Sequence, residues 1–94
     1  MIRSAAIKYY IFSLDKEVIL PLHRHGDGGK ILERLGFTPD DVVIITQGFL
    51  ADHEVFLNRR EALDEAIKCG QISIEDPQGY DIILSGQLMS EDLW

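Results

Sequence analysis

Apolar and polar positions along the first third of the chain follow the pattern of a β-hairpin. Residues 3–13 are rich in Ile, Tyr, Phe and Ala, a composition typical of a β-strand. A polar turn at residues 14–17 leads to a second apolar run at residues 18–20. Pro21 follows it and favours the edge of a sheet, because proline cannot donate a hydrogen bond to a neighbouring strand. We therefore predict two antiparallel strands.

Two segments have the spacing of amphipathic helices. The first is predicted over residues 28–35, with Asp27 as its N-cap and Gly36 as the left-handed residue that ends it. The second is predicted over residues 59–69, where Asn58 and Glu61 can form a capping box and Gly70 follows the last turn. Its apolar stripe consists of Ala62, Leu63, Ala66 and Ile67.

The remaining pattern predicts more strands. Residues 42–46 are β-branched and apolar, which predicts a buried strand that ends at Gln47-Gly48, with a loop over residues 49–57. Residues 71–75 alternate polar and apolar, and residues 80–84 return as their partner after a tight turn at 76–79. The predicted order is ββαβαββ, an α+β domain over residues 1–94 with a small, mostly antiparallel sheet and two helices.

Composition narrows the classes of function. The net charge is −7, with six Lys and Arg against four Asp and Glu in residues 1–34, and three against twelve in residues 35–94. This balance argues against binding to a nucleic-acid polymer, which needs a basic surface. No apolar run approaches the roughly 20 residues of a membrane helix. One cysteine, Cys69, excludes an internal disulfide and favours a reducing compartment.

The segment His23-Arg24-His25 carries the most suggestive chemistry. If it is extended, both histidines point to one face, and with Asp27 they could hold a metal ion for a small phosphohydrolase. A second interpretation is an anion site, in which Arg24 and Lys30 flank a glycine-rich helix start. A capping carboxylate at Asp27 would oppose that anion. A third interpretation is a surface loop of polar residues that follows a strand, without a binding role.

A second candidate set lies around the start of the second helix. Arg59 and Arg60 are in its first turn, where the helix dipole disfavours cations, so an anionic ligand would explain them. The alternative is an ion pair within the chain, such as Arg60 with Asp64. Phe49 can either stack on a nucleobase or anchor the predicted loop in the core.

These motifs occur in an order that resembles small bacteriophage proteins. The ordered set begins with His23-Arg24-His25 and continues with Gln47-Gly48-Phe49, the run from Phe56 to Ala62, Gly70-Gln71-Ile72 and the run from Leu88 to Trp94. Among such proteins the chain is similar to the anti-Thoeris sponge family, which sequesters cyclic ADP-ribose-type immune signals without cleaving them. The resemblance implies a nucleotide-binding oligomer with Arg24, Phe49 and Asn58 at the ligand. The chain departs from that family in having no Lys or Arg after Lys68.

We therefore expect a phage anti-defence protein that binds a small anionic, nucleotide-derived ligand. The expected ligand-binding residues are His23, Arg24, His25, Phe49, Asn58, Arg59 and Arg60. We expect no catalytic residues, no metal and no cofactor, and we expect a homo-oligomer in the cytoplasm of the bacterial host that binds neither nucleic-acid polymers nor membranes. The alternatives are the metal-dependent phosphohydrolase and a module that blocks a host protein through its acidic helix face.

Overall fold

A four-stranded antiparallel sheet is the frame of the protein in the computed structural model, which describes residues 1–73 and 75–93. The strands are β1 (Ile2–Ile11), β2 (Lys16–Leu22), β3 (Val42–Ala51) and β4 (Phe56–Asn58). They lie side by side in the order β2-β1-β3-β4. The predicted α+β class with an antiparallel sheet is confirmed.

Three helices complete the described part of the chain: α1 (Gly28–Arg34), α2 (Arg59–Lys68) and α3 (Pro77–Ser85). The observed order is ββαββαα, so the predicted order ββαβαββ is wrong in its C-terminal third. Single turns of 3₁₀ helix occur at His25–Asp27, Pro39–Asp41, Asp52–Glu54 and Ser90–Asp92.

The predicted hairpin is confirmed. Strands β1 and β2 pair from Ala5 opposite Leu22 to Ile11 opposite Lys16. Strand β2 is an edge strand, the position in a sheet where a residue without an N–H donor such as Pro21 is tolerated.

Helix α1 ends as predicted but begins differently. At its C-terminus Gly36 has φ +93°, and Phe37 N–H donates to the Leu32 carbonyl at 3.0 Å, which is the Schellman arrangement. At its N-terminus Asp27 has φ −82° and ψ −15°, and its side chain makes no capping hydrogen bond. The predicted cap is wrong because the chain enters α1 from a 3₁₀ turn, which leaves Asp27 with a helical backbone instead of the extended one that a cap needs.

Strand β3 corrects two predictions. It continues through Gly48 and Phe49 to Ala51, so the predicted end of the strand and the loop from residue 49 are wrong. Its first half was predicted to be buried, yet Val43, Ile44 and Ile45 are 44–50% exposed. Val43 and Ile44 pair with Tyr10 and Tyr9 near the far end of β1, whereas Phe49 is paired with Ala5 and with Leu57 near the middle of the sheet, where the core lies.

Helix α3 replaces the predicted strand at residues 80–84. The Asp76 carboxylate accepts from Gln78 N–H at 3.0 Å, and Pro77 occupies the first helical position, so the helix start is locally encoded. Gly79 lies so close to the Ser73 carbonyl that a Cβ there would be 2.0 Å from its oxygen. The predicted strand over residues 71–75 is wrong for its described residues, and Ile74 lies outside them.

Helix α2 follows its prediction closely. Glu61 N–H donates to Asn58 Oδ1 at 2.8 Å, and Asn58 N–H donates to Glu61 Oε1 at 3.0 Å, which confirms the capping box. In the predicted apolar stripe Ala62, Leu63 and Ala66 are buried, while Ile67 lies at the exposed margin.

The core packs against the face of the sheet that carries Ala5, Ile7 and Tyr9. Alternate residues of β1 reach this face because side chains in a strand point to opposite sides in turn. The core residues from outside β1 are Leu22, Leu32, Phe49, Ala62, Leu63, Ala66, Ile72, Ile82 and Leu88, with Ile2 at the start of the sheet.

The two adjacent glycines of α1 provide a test of this packing. A Cβ on Gly28 would lie 2.1 Å from Tyr9 Oη, whereas a Cβ on Gly29 would meet nothing within 4 Å. We expect Gly28→Ala to lower the free energy of unfolding by about 1–3 kcal/mol, and Gly29→Ala to raise it by about 0.5–1 kcal/mol. Urea unfolding measures both, and Tyr9→Phe should restore most of the stability lost in Gly28→Ala. Equal effects of the two alanines would contradict this account of α1.

Candidate functional site

A cleft of about 520 Å³ opens where three separate parts of the chain meet. The parts are the segment that enters α1, the start of α2, and the C-terminal segment that follows α3. We call this the basic cleft, and its lining residues are Arg24, His25, Gly26, Asp27, Lys30, Arg59, Met89, Ser90 and Glu91.

Arg59 joins the walls of the basic cleft. Its Nη1 donates to the Leu88 carbonyl at 2.9 Å, while Leu88 N–H donates to the Arg59 carbonyl at 3.2 Å. Its Nη2 donates to Gln47 Oε1 at 2.6 Å. These bonds hold the guanidinium in one orientation at the wall of the basic cleft, so little side-chain motion remains to be lost when a ligand binds.

His25 is held in one tautomer by the contacts of its two ring nitrogens. Nε2 lies 2.6 Å from the Gly48 carbonyl, which can only accept, so Nε2 carries the hydrogen. Nδ1 is then free of hydrogen and accepts from Arg59 Nη2 at 3.5 Å. The ring stands edge-on to Phe49, with the two centroids 5.0 Å apart.

The surroundings of His25 favour its neutral form. Burial lowers the pKa of the imidazole below its ordinary value of 6.5, and the positive charge of Arg59 lowers it further. The hydrogen bond to Gly48 and the carboxylate of Glu91 oppose this shift without cancelling it.

Charges of both signs line the basic cleft. Arg24, Lys30 and Arg59 are cationic, and Asp27 and Glu91 are anionic. The pKa of Glu91 is lowered chiefly by its own backbone N–H, then by the Ser90 hydroxyl, with smaller effects from the two arginines. With His25 neutral, the cleft carries a small excess of positive charge, and an anion that enters it meets Glu91 beside the arginines.

The structure brings together only part of the set that the sequence predicted. Arg24, His25 and Arg59 line the basic cleft, whereas exposed His23 is not among its lining residues. Asn58 and Arg60 instead line an adjoining recess of about 320 Å³ with Gln47, Gly86 and Gln87, and Arg59 lies between the two spaces.

Phe49 contributes from behind the cleft. Its ring is fully buried in β3, so it has no exposed face on which a nucleobase could stack. Its contact with the edge of His25 instead fixes the position of that ring. Of the two sequence interpretations, anchoring in the core matches the structure.

The two other residues at the start of α2 also have defined surroundings. The side-chain oxygen of Asn58 is used by the capping box. Within the part of the chain that the structure describes, no ion pair joins Arg60 to Asp64, and the Arg60 guanidinium lies toward Gly86 instead.

The geometry of the proposed metal ligands differs from the extended pattern that the sequence predicted. His25 starts a 3₁₀ turn, so His23 and His25 are not alternate residues of a strand. Among residues 1–73 and 75–93, no group of three His, Cys, Asp or Glu side chains is arranged to hold a metal ion.

Sequence reasoning missed the residues that shape the cleft from a distance. Gln47, the Leu88 carbonyl and Glu91 all contribute, and they are far from the His23-Arg24-His25 segment in the chain. In the sequence, the run of residues from Leu88 onward stands out only as part of an ordered pattern. No spacing of residues within that run indicates that the Leu88 carbonyl accepts a hydrogen bond from Arg59.

Comparison with known proteins adds one finding. The family model described as Phage T4 y16D protein matches residues 1–94. No curated protein and no solved structure matches the chain. Among the described residues, no helix is both long enough and apolar enough to cross a membrane.

The environment of His25 predicts a pH-dependent stability. The imidazole of His25 takes up a proton near pH 6.5 in the unfolded chain and only at a lower pH in the folded chain. The contribution of His25 to the free energy of unfolding is therefore fully present above about pH 6.5, and it is lost as the pH falls through the lower pKa of the folded state. The thermal midpoint should therefore fall on acidification from about pH 7.5 to about pH 5.5. Differential scanning calorimetry should show a shallower fall for His25→Gln. The control His53→Asn removes an exposed histidine from a position with φ +63°, and its thermal midpoint should fall with pH as steeply as that of the wild type. If the midpoint of His25→Gln fell just as steeply, His25 would not be the source of the pH dependence.

Proposed function

The chain belongs to the phage T4 y16D protein family, and from that premise we propose that this small bacteriophage protein binds and sequesters a nucleotide-derived immune signal of the cyclic ADP-ribose type. The binding site is the basic cleft, and the ligand is released intact when the protein unfolds. The protein acts in the cytoplasm of the infected host and counters a defence system that uses such a signal. The sequence resemblance to the anti-Thoeris sponge family supports the ligand class.

The observation that carries the proposal is the convergence of Arg24, Lys30 and Arg59 on one cleft of about 520 Å³. That size lies within the range of about 300–1,000 Å³ for small-molecule sites. Arginine binds a phosphate through two parallel N–H donors, and Arg59 is already oriented by Leu88 and Gln47. A site of this kind gains affinity because little side-chain motion is lost on binding.

The carboxylates of the cleft favour a nucleotide over a simple inorganic anion. Asp27 and Glu91 repel a bare phosphate that approaches the arginines. A nucleotide carries ribose hydroxyl groups as well as phosphates, and ionised carboxylates are pure hydrogen-bond acceptors for such hydroxyls. A pyrophosphate on the cations with ribose on the carboxylates therefore matches both signs of charge.

Binding without cleavage agrees with the state of His25. Its Nε2 donates to the Gly48 carbonyl and its Nδ1 accepts from Arg59. While these bonds persist, the imidazole has no ring nitrogen available to take a proton from a substrate. His25 then positions Arg59 instead of acting as a general base.

Isothermal titration calorimetry with cyclic ADP-ribose isomers and cyclic dinucleotides tests the proposal. We expect Arg24→Ala/Lys30→Ala to weaken binding by at least about tenfold, since each lost charge-assisted hydrogen bond is worth about 1.5–3 kcal/mol. The control Arg34→Ala/Lys68→Ala removes the same charge from residues that do not line the cleft, and it should bind within about twofold of wild type.

The fate of the ligand decides between binding and turnover. After binding, the protein is denatured by heat and the supernatant is analysed by chromatography. Intact ligand supports sequestration, whereas a cleaved product would identify an enzyme. If none of these nucleotides bound to the protein, the proposed ligand class would be rejected.

We also propose that the protein is a homo-oligomer, as the resemblance implies. The end of the sheet near the β1–β2 turn exposes Phe12, Leu14, Ile19, Val43, Ile44 and Ile45 at 41–58% each. We call these residues the patch, and exposed apolar side chains grouped at one end of a sheet are typical of an interface. Lys16 and Glu17 at the start of β2 are compatible with a second copy of the chain. Across a two-fold axis, Lys16 of each copy can pair with Glu17 of the other.

Light scattering during gel filtration tests the oligomer. Val43→Lys/Ile45→Lys places charges on the patch and should convert the oligomer to a monomer, because an unpaired charge buried in an interface is strongly unfavourable. Leu35→Lys, which changes an apolar residue that is 64% exposed and outside the patch, should leave the oligomer intact. A monomeric wild-type protein at high concentration would reject this part of the proposal.

A further inference from the structure

A second concave surface lies on the other side of the C-terminal segment. It runs between α3 and residues 87–92 and has a volume of about 390 Å³. We call it the acidic groove, and its lining residues are Gln78, Asp81, Ile82, Ser85, Gln87, Met89 and Asp92. A smaller recess adjoins it, shares Gln78, Ile82 and Asp92 with it, and adds the carboxylate of Asp76.

The acidic groove combines an apolar floor with acidic rims. Met89, which is 39% exposed, offers carbon surface to an occupant, and the core residue Ile82, which is 8% exposed, lines the groove beside it. Asp81 is exposed, and the Asp92 carboxylate accepts from Met89 N–H at 2.8 Å, which fixes it at the edge of the groove.

The charged side chains that line the acidic groove are all acidic, although Arg60 lies nearby, toward Gly86. Residues 69–94 contain five acidic residues and no Lys or Arg. In the described part of the chain, no ion pair involves Asp81 or Asp92. The negative charge is therefore not neutralised by the protein itself, and it repels anionic ligands, nucleic acids and acidic membrane surfaces.

We propose that the acidic groove binds a cationic peptide segment of a partner protein, one that places Lys or Arg beside an apolar side chain. The aliphatic stem of a Lys or Arg residue packs on Met89 and Ile82, and its charged end reaches the carboxylate of Asp81 or Asp92. The apolar neighbour in the peptide covers the rest of the floor. This surface shares only Met89 with the lining of the basic cleft, and the inference does not depend on the proposed ligand of that cleft.

The net charge of the protein favours a cationic peptide over a second copy of the chain as the occupant of the acidic groove. The protein has a net charge of −7, so a copy that approaches the groove brings more negative than positive charge. Contact between the groove and a different surface of the next copy would also be a heterologous interface, which forms a ring only if the rotation closes and otherwise an open filament.

Fluorescence anisotropy with labelled synthetic peptides tests the inference. The probe is a short peptide of lysine, leucine and glycine, and the controls carry glutamate in place of lysine or glycine in place of leucine. We expect wild-type protein to bind the probe and to bind both control peptides at least about tenfold more weakly, because either the charge-assisted bonds or the apolar contact is lost.

Two charge-matched double variants separate docking from general attraction. Asp81→Asn/Asp92→Asn removes both rim charges, and the amide oxygen of Asn can still accept from Met89 N–H. Asp40→Asn/Asp64→Asn removes two exposed carboxylates elsewhere. We expect about a tenfold loss of affinity in the first variant and less than about a twofold loss in the second. Equal losses would show nonspecific attraction of a polycation and overturn the inference.

Two further measurements complete the test. Met89→Gln should weaken binding of the probe but not of the peptide without leucine, since only the apolar contact is removed; an equal effect on both peptides would contradict the apolar floor. Thermal unfolding by circular dichroism checks that each variant is folded. The inference would be overturned if the folded wild-type protein failed to bind the probe. It would also be overturned if Asp81→Asn/Asp92→Asn dissociated an oligomer, since a second copy of the chain would then be the occupant of the groove.

Discussion

The contacts of the Arg59 guanidinium hold together the end of the protein that carries the basic cleft. One side chain donates to Gln47 in β3, to His25 in the segment before α1, and to the carbonyl of Leu88 after α3. The backbone of Leu88 returns a hydrogen bond to Arg59, so the C-terminal segment is fixed at both its N–H and its carbonyl. Arginine suits this position because its planar fork presents five donors in fixed directions, which lysine cannot reproduce. The helix dipole disfavours a cation in the first turn of α2, and these three acceptors offset that cost.

The same contacts explain why the basic cleft has a mixed character. An arginine that is partly used by protein acceptors keeps its charge but offers fewer donors to a ligand. His25 is held neutral by burial and by Arg59, and Phe49 supports its ring from the core. The carboxylate of Glu91 lies on the same wall as Ser90 and Met89. The proposed ligand selectivity of the cleft therefore rests on a match to charges of both signs more than on total positive charge.

The C-terminal segment has a second role, because Met89 lines both the basic cleft and the acidic groove. A single short stretch of chain thus separates two surfaces of opposite charge. Ordering of this segment depends on Leu88, which is fully buried and bonded to Arg59. The two proposed binding surfaces therefore share one side chain, that of Met89.

The amino-acid sequence by itself determined the elements that are encoded within a few residues. The β1–β2 hairpin follows from apolar runs and a polar turn, the end of α1 from Gly36, and the start of α2 from Asn58 and Glu61, whose partners lie three residues apart. The start of α3 was equally local, in Asp76 and Pro77, but its apolar residues were interpreted as a strand. Tertiary structure alone decided the rest. It buried Phe49, exposed Val43 and its neighbours, and brought His25 to Gly48 and Arg59 across 23 and 34 positions of the chain. Hydrogen bonds over such separations depend on how the sheet is paired and covered, and no periodicity of side chains along the chain specifies them.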